Sequence, residues 1–196
     1  DNPYRYIDPD GRATTVRLQY YILGSVPVLY GAYGHQYIVL HDTNTGETVV
    51  ARAGPNAQYP HSASAVASDA AVDNPNGHGK ITIYASKIVS ASRSSDYNHT
   101  NSAHVRDSKV VQGSVVTLNE PIAKAKATLS KFNDAVNAAN IAYKPRSTNS
   151  NAYANTAYQA LTGEAPPNSP HTLPGSNVNL KPKIPACSTS NVCGGH

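Results

Sequence analysis

From Thr15 to Ile22 (T-V-R-L-Q-Y-Y-I) apolar and polar side chains alternate, which predicts a half-buried strand. Pro27 and the Gly31–Gly34 stretch break the regularity, and Gln36–His41 (Q-Y-I-V-L-H) is strongly β-prone again. Asp42-Thr-Asn-Thr-Gly46 supplies turn chemistry before Glu47–Arg52 (E-T-V-V-A-R), so these two runs predict a hairpin. Lys80–Ser86 and Ser114–Leu118 read as further strands. The period then changes. Apolar residues at Ile122, Ala125, Leu129, Phe132 and Val136 are spaced by three and four, the stripe of an amphipathic helix. Asn119 is placed to cap it, with Glu120 and Pro121 in its first turn. A second helix is predicted over Asn149–Gly163, with Asn149 or Ser150 as its cap and Gly163 as its stop. The order β-β-β-β-β-α-α predicts the α+β class: a small antiparallel sheet with two C-terminal helices packed on it.

Between these elements Ala53–Gly79 reads as loop, with a short helix possible over Ser62–Ala71. Residues 87–111 form a polar, Ser-rich insertion, and three of the eight histidines fall between His78 and His104. Such an insertion on a small domain is suited to a lid or binding loop. From Glu164 onward Pro, Asn, Ser and Gly dominate, and an extended chain is expected.

A chain of 196 residues suits one domain, and 39% hydrophobic with 14% charged residues gives one modest core under a surface of Asn, Ser, Thr and Tyr. Thirteen tyrosines against one Phe and no Trp suggest half-buried amphipathic walls. The formal net charge of +4 is mild. Its densest run, Lys124, Lys126 and Lys131, falls on one helix and reads as a solvated face. A nucleic-acid partner would call for a tighter basic stripe and is not expected. No apolar run approaches 18 residues, so no transmembrane helix is expected. Cys187 and Cys193 could close a small disulfide loop or stay reduced. With His196 they make three possible ligands and no matching second pair, so no metal and no cofactor is expected.

Two places carry chemistry. Gly34-His35 sets a histidine at the mouth of a strand, just after a Gly-rich bend. Asn149-Ser150-Asn151 opens a helix, where unpaired backbone N–H groups and the helix dipole favour a developing oxyanion. Ser150 is the candidate nucleophile, His35 the candidate base, and Asn149 and Asn151 the support at the helix N-terminus. The same residues have a plainer reading: Asn-Ser-Asn is what capping alone selects, and His35 suits a sheet edge. Gly77-His78-Gly79 reads as a turn, and His99 and His104 as solvated.

Two resemblances follow from these residues. Asp1–Arg12, N-P-Y-R-Y-x-D-P-x-G-R, lacks the basic start and apolar run of a signal peptide. It resembles the end of the repeat-associated core of Rhs proteins, in which a repeat shell is followed by a variable C-terminal toxin. That resemblance implies residues 1–12 as the edge of the core, 13–170 as the effector domain and 171–196 as an extended tail. It also implies secretion and delivery into a target cell, the Rhs shell as a partner, and a cognate immunity protein. Second, a strand-borne His followed by more sheet and then Asn-Ser opening a helix, with Tyr153 behind it, resembles circularly permuted papain-like proteins of the NlpC/P60 superfamily. These include the lecithin:retinol acyltransferase-like proteins, and the likeness covers about residues 30–176. It implies a papain-like hydrolase or acyltransferase attacking an amide or ester. One departure matters: Ser150 stands where those enzymes carry Cys, and a hydroxyl is the weaker nucleophile. The residue that orients His35 has no motif; Glu47, Thr48 and Arg52 on the facing strand are candidates. Other expectations remain open: a nuclease or ADP-ribosyltransferase toxin, with the His78–His104 region as the nuclease candidate, or a non-catalytic binding or membrane-active tip.

Overall fold

The structure, a computed structural model, describes residues 13–23, 33–55, 82–94, 108–144, 147–169 and 173–184. The predicted Ser62–Ala71 helix, the Asp1–Arg12 motif, His78, His99, His104 and both cysteines lie outside the described residues. Among those described, the chain is α+β: an antiparallel sheet with two helices on one of its faces.

Strands β1 (Thr14–Leu23) and β2 (Tyr33–Asp42) pair along their whole length, from Thr14 opposite Asp42 to Leu23 opposite Tyr33. The expected turn closes the next hairpin. Asp42 accepts from the backbone N–H groups of Asn44 and Thr45, both at 2.9 Å. The Thr45 and Asn44 amides hold its carboxyl below the usual carboxylate range. β3 (Thr48–Ala51) returns along β2, pairing only with Ile38–His41. β4 (Ala53–Pro55) and β5 (Ile83–Ala85) form a separate two-stranded sheet. β6 (Val89–Ser90) extends the main sheet beyond β3. β7 (Lys109–Val110) and β8 (Val116–Leu118) both lie on the outer edge of β1, giving the order β6-β3-β2-β1 with β7 and β8 beyond. Where neither reaches, the buried Ser114 hydroxyl accepts from Leu18 N–H at 3.0 Å and takes the place of a strand carbonyl.

Helix α1 (Ile122–Ala138) buries the whole predicted stripe, Ile122, Ala125, Leu129, Phe132 and Val136. Its start differs from expectation: the N-cap is Pro121, with no side-chain cap, and Asn119 does not serve. Proline needs no partner for a missing N–H and enters with its φ already set. Helix α2 (Ser150–Thr162) is capped by Asn149 and ends at Gly163 in the left-handed conformation (φ 73°), where glycine avoids the Cβ clash. The helices cover one sheet face: Val16 and Leu18 of β1 and Ile38 and Leu40 of β2 share a cluster with Leu129, Phe132, Tyr153 and Tyr158. A smaller cluster of Tyr21, Tyr37, Val39, Val50 and Ala91 occupies the other face.

Two expectations change. Tyr37, Tyr153 and Tyr158 are not half-buried walls but fully buried core residues. With one Phe and no Trp they supply the large side chains the core needs, and Tyr153 settles its hydroxyl by donating to Asn133 Oδ1 at 2.6 Å. The C-terminal segment is not wholly extended either. Leu180 and Ile184 flank a 3₁₀ turn (Lys181–Lys183) and join the main core, and Leu173 is buried as well. Spaced apolar anchors among Pro and Asn suffice to fasten a segment without helix or strand, so the folded body continues to Ile184.

Candidate functional site

The N-terminus of α2 meets β2 at the residues singled out from sequence. β3 stops pairing at Ile38, so the edge of β2 before it has backbone groups to satisfy. Asn151 takes that edge: its Oδ1 accepts from Gln36 N–H at 2.8 Å and its Nδ2 donates to Gly34 C=O at 3.1 Å. One carboxamide thus pairs with β2 as a strand's peptide unit would, on either side of His35. The same Nδ2 donates to Pro174 C=O at 2.9 Å. Asn149 holds the helix start: its Oδ1 accepts from the N–H groups of Asn151 (2.9 Å) and Ala152 (3.2 Å), and its Nδ2 donates to Pro174 C=O at 2.9 Å. Asn155, one turn further on, accepts from Gln36 Nε2 at 2.8 Å and donates to the Ser176 carbonyl. Four carboxamides therefore fasten β2, α2 and the 174–176 turn to one another. Amides serve because each donates and accepts without the desolvation cost of a buried charge.

The backbones around His35 and Ser150 are brought together, but the side chains are not. Gln36, Ile38 and Leu40 point to the helices, so the alternation of β2 sends His35 to the opposite face with Tyr37. Its ring lies 5.3 Å from that of Tyr21 and 6.5 Å from that of Tyr37. Ser150 is buried on the helix side, where its hydroxyl has Asn151 Oδ1 at 3.5 Å. At the helix start proposed to hold an oxyanion, the N–H groups of Asn151 and Ala152 donate to Asn149 Oδ1. A Ser150–His35 proton transfer is not supported by this geometry, because the sheet stands between the two groups. The orienting candidates are placed as follows. Thr48 Oγ1 lies 2.8 Å from His41 Nδ1, Glu47 pairs with Lys126 at 2.8 Å, and Arg52 lines a small cavity beside β3 and β6. Lys124 pairs with Glu120 at 3.1 Å, in keeping with a solvated helix face.

Beside the amide cluster opens a cleft of about 550 Å³ between α2 and the C-terminal segment. Sequence reasoning did not find it, since one of its walls is the segment read as an extended tail. Asn155, Gln159, Ser169, Ser176, Asn177 and Asn179 supply its polar groups, with proline and aliphatic side chains between them. Among the described residues that line it none is titratable. These residues offer paired donors and acceptors to a ligand.

No helix among the described residues is long and apolar enough to cross a membrane. Comparison with protein-family models, with curated proteins and with solved structures finds no match to this chain.

Proposed function

We propose that this chain is an effector tip of the Rhs toxin type. In this reading its papain-like arrangement of helix and sheet serves recognition of an uncharged ligand, not Ser/His catalysis. The observation that carries the reading is the cleft beside the α2 N-terminus, whose described lining residues are carboxamides, hydroxyls, prolines and aliphatics. Its volume of about 550 Å³ suits a ligand of several rings or residues. The lining fits a polymer that presents both amides and hydroxyls, the chemistry of an N-acetylated glycan. Carboxamides such as Gln159 and Asn177 meet an acetamido group donor to acceptor, and the prolines pack on sugar C–H faces. Support for the toxin context is the N-P-Y-R-Y-x-D-P-x-G-R motif at Asp1–Arg12.

Co-sedimentation of the full chain with isolated N-acetylated cell-wall glycan tests this, beside growth of bacteria that export it to the periplasm. Binding and growth arrest are expected, both lost in Gln159→Leu with Asn177→Ala. Absent binding, or binding and arrest unaltered in that variant, would defeat the proposal.

A further inference from the structure

Gln159 of α2 and Asn179 of the C-terminal segment meet at the amide-lined cleft, where Asn179 Nδ2 donates to Gln159 Oε1 at 3.1 Å. A carboxamide has one donating end and one accepting end, so its orientation decides what it offers a ligand. Here the backbone sets that orientation. Lys181 N–H donates to Asn179 Oδ1 at 2.8 Å, and an N–H can only donate, so the oxygen of Asn179 is committed to it. The nitrogen of Asn179 is then the end left for Gln159, which must answer with its oxygen. Gln159 therefore offers Nε2, with its two N–H groups, to the cleft it lines. Leu180 fastens this relay to the helix. Its side chain is fully buried and its N–H donates to Thr156 Oγ1 at 3.0 Å, three residues before Gln159 on α2. Asn155, on the same wall, is used differently. Its Oδ1 accepts from Gln36 Nε2 and its Nδ2 donates to Ser176 C=O, so both of its ends hold the wall together.

We propose that Asn179 is a positioning residue that fixes Gln159 as a donor, so that the cleft selects its ligand by a carbonyl oxygen. In an N-acetylated glycan that oxygen belongs to the acetamido group. The inference rests on the glycan reading of the cleft and adds the atom by which the glycan is chosen. A site built around one hydrogen-bonding group of its ligand discriminates against an analogue that lacks it, because the protein's own donor then loses its partner. Asn179 does this without touching the acetamido group itself: it determines which end of Gln159 faces the ligand.

Calorimetric titration of the full chain with the β-1,4-linked tetramers of N-acetylglucosamine and of glucose tests this. Both tetramers are neutral, and they differ only in acetamido against hydroxyl. The wild type is expected to bind the acetylated tetramer at least about tenfold more tightly. In Asn179→Asp the carboxylate keeps the bond from Lys181 N–H but can only accept, so Gln159 must turn Nε2 to it and show Oε1 to the ligand. Affinity for the acetylated tetramer should fall by at least about tenfold, and further than in Asn179→Ala, where Gln159 is merely released. The glucose tetramer, whose hydroxyl can donate to Oε1, should hold its affinity. Asn179 is exposed, so both variants should keep the wild-type circular dichroism. A purely structural role would weaken both tetramers alike and fall hardest on Asn179→Ala. That pattern, or equal binding of the two tetramers by the wild type, would overturn the inference and leave the cleft a glycan site. Binding of neither tetramer would overturn the glycan reading as well.

Discussion

Tyr21 and His35 face each other across β1 and β2 with their rings 5.3 Å apart, on the side of the sheet that α2 does not touch. This pairing separates His35 from Ser150 although the two backbones are neighbours through Asn151. Ser150→Ala should therefore leave growth arrest intact and change stability by no more than about 0.5 kcal/mol, because the lost hydroxyl has only a long contact at 3.5 Å. His35→Ala should also keep growth arrest, while losing about 1 kcal/mol of aromatic packing. Growth curves and urea unfolding of both variants check this. Arrest abolished by Ser150→Ala in a folded protein would restore the Ser/His hydrolase.

Asn151 carries the opposite expectation. Asn151→Leu keeps a similar volume but strands Gly34 C=O and Gln36 N–H at a buried edge. Each orphaned group costs about 1–3 kcal/mol, so a loss of about 2–4 kcal/mol is expected in urea unfolding. A loss below about 0.5 kcal/mol, the level of an ordinary surface change, would mean that the carboxamide is not what closes the edge of β2.

Gly175 and Gly163 make an internal control. Both have positive φ, 79° and 73°. A Cβ at Gly163 meets nothing within 4 Å, whereas at Gly175 it runs into the Ser147 carbonyl and the Asn149 carboxamide. Gly163→Ala should cost about 1 kcal/mol from backbone conformation alone. Gly175→Ala should cost clearly more, since the cap of α2 has to move as well. Equal midpoints for the two variants would show that the 174–176 turn does not press on the cap.

Burial also fixes the alkaline limit. It pushes Tyr143 up to about 12 and raises Tyr153 and Tyr158 above the ordinary phenol value of 10.0. A group whose folded pKa is raised contributes stability that is fully present below the unfolded value and lost as pH rises towards the folded one. Unfolding free energy should thus be level up to about pH 10 and fall steadily from there to about pH 12. Tyr143→Phe should flatten part of that slope in pH-dependent urea titrations, and an unchanged slope would refute the role of Tyr143.

Much of the framework is legible in the sequence because it rests on local periodicity. The alternation of Thr15–Ile22, the three-and-four spacing from Ile122 to Val136, and the Asn149 and Gly163 helix ends all reappear as read. The face to which His35 points is not legible in that way. In Gln36-Tyr-Ile-Val-Leu40 both parities are apolar, so alternation is silent and only packing decides that Ile38 and Leu40 go to the helices. Gln36 then inherits the helix side by parity, and His35 is excluded from it. Leu173, Leu180 and Ile184 were equally hidden, since three isolated anchors have no period. The cleft depends on that segment folding back and was lost with it.

The bonds from Asn151 to Gly34 and Gln36 join positions 117 and 115 residues apart in the chain. A hairpin such as β1–β2 can form from neighbouring sequence, but its helix-facing side and the free edge of β2 have no local partner. High contact order of this kind slows folding, because a long loop must close before the contacts that stabilise it exist. While the chain emerges from a ribosome, the β1–β2 hairpin should form reversibly until α2 follows. Commitment to the native state therefore comes from near the far end of the described chain, so the element that arrives late in synthesis is the one that makes the sheet's arrangement irreversible.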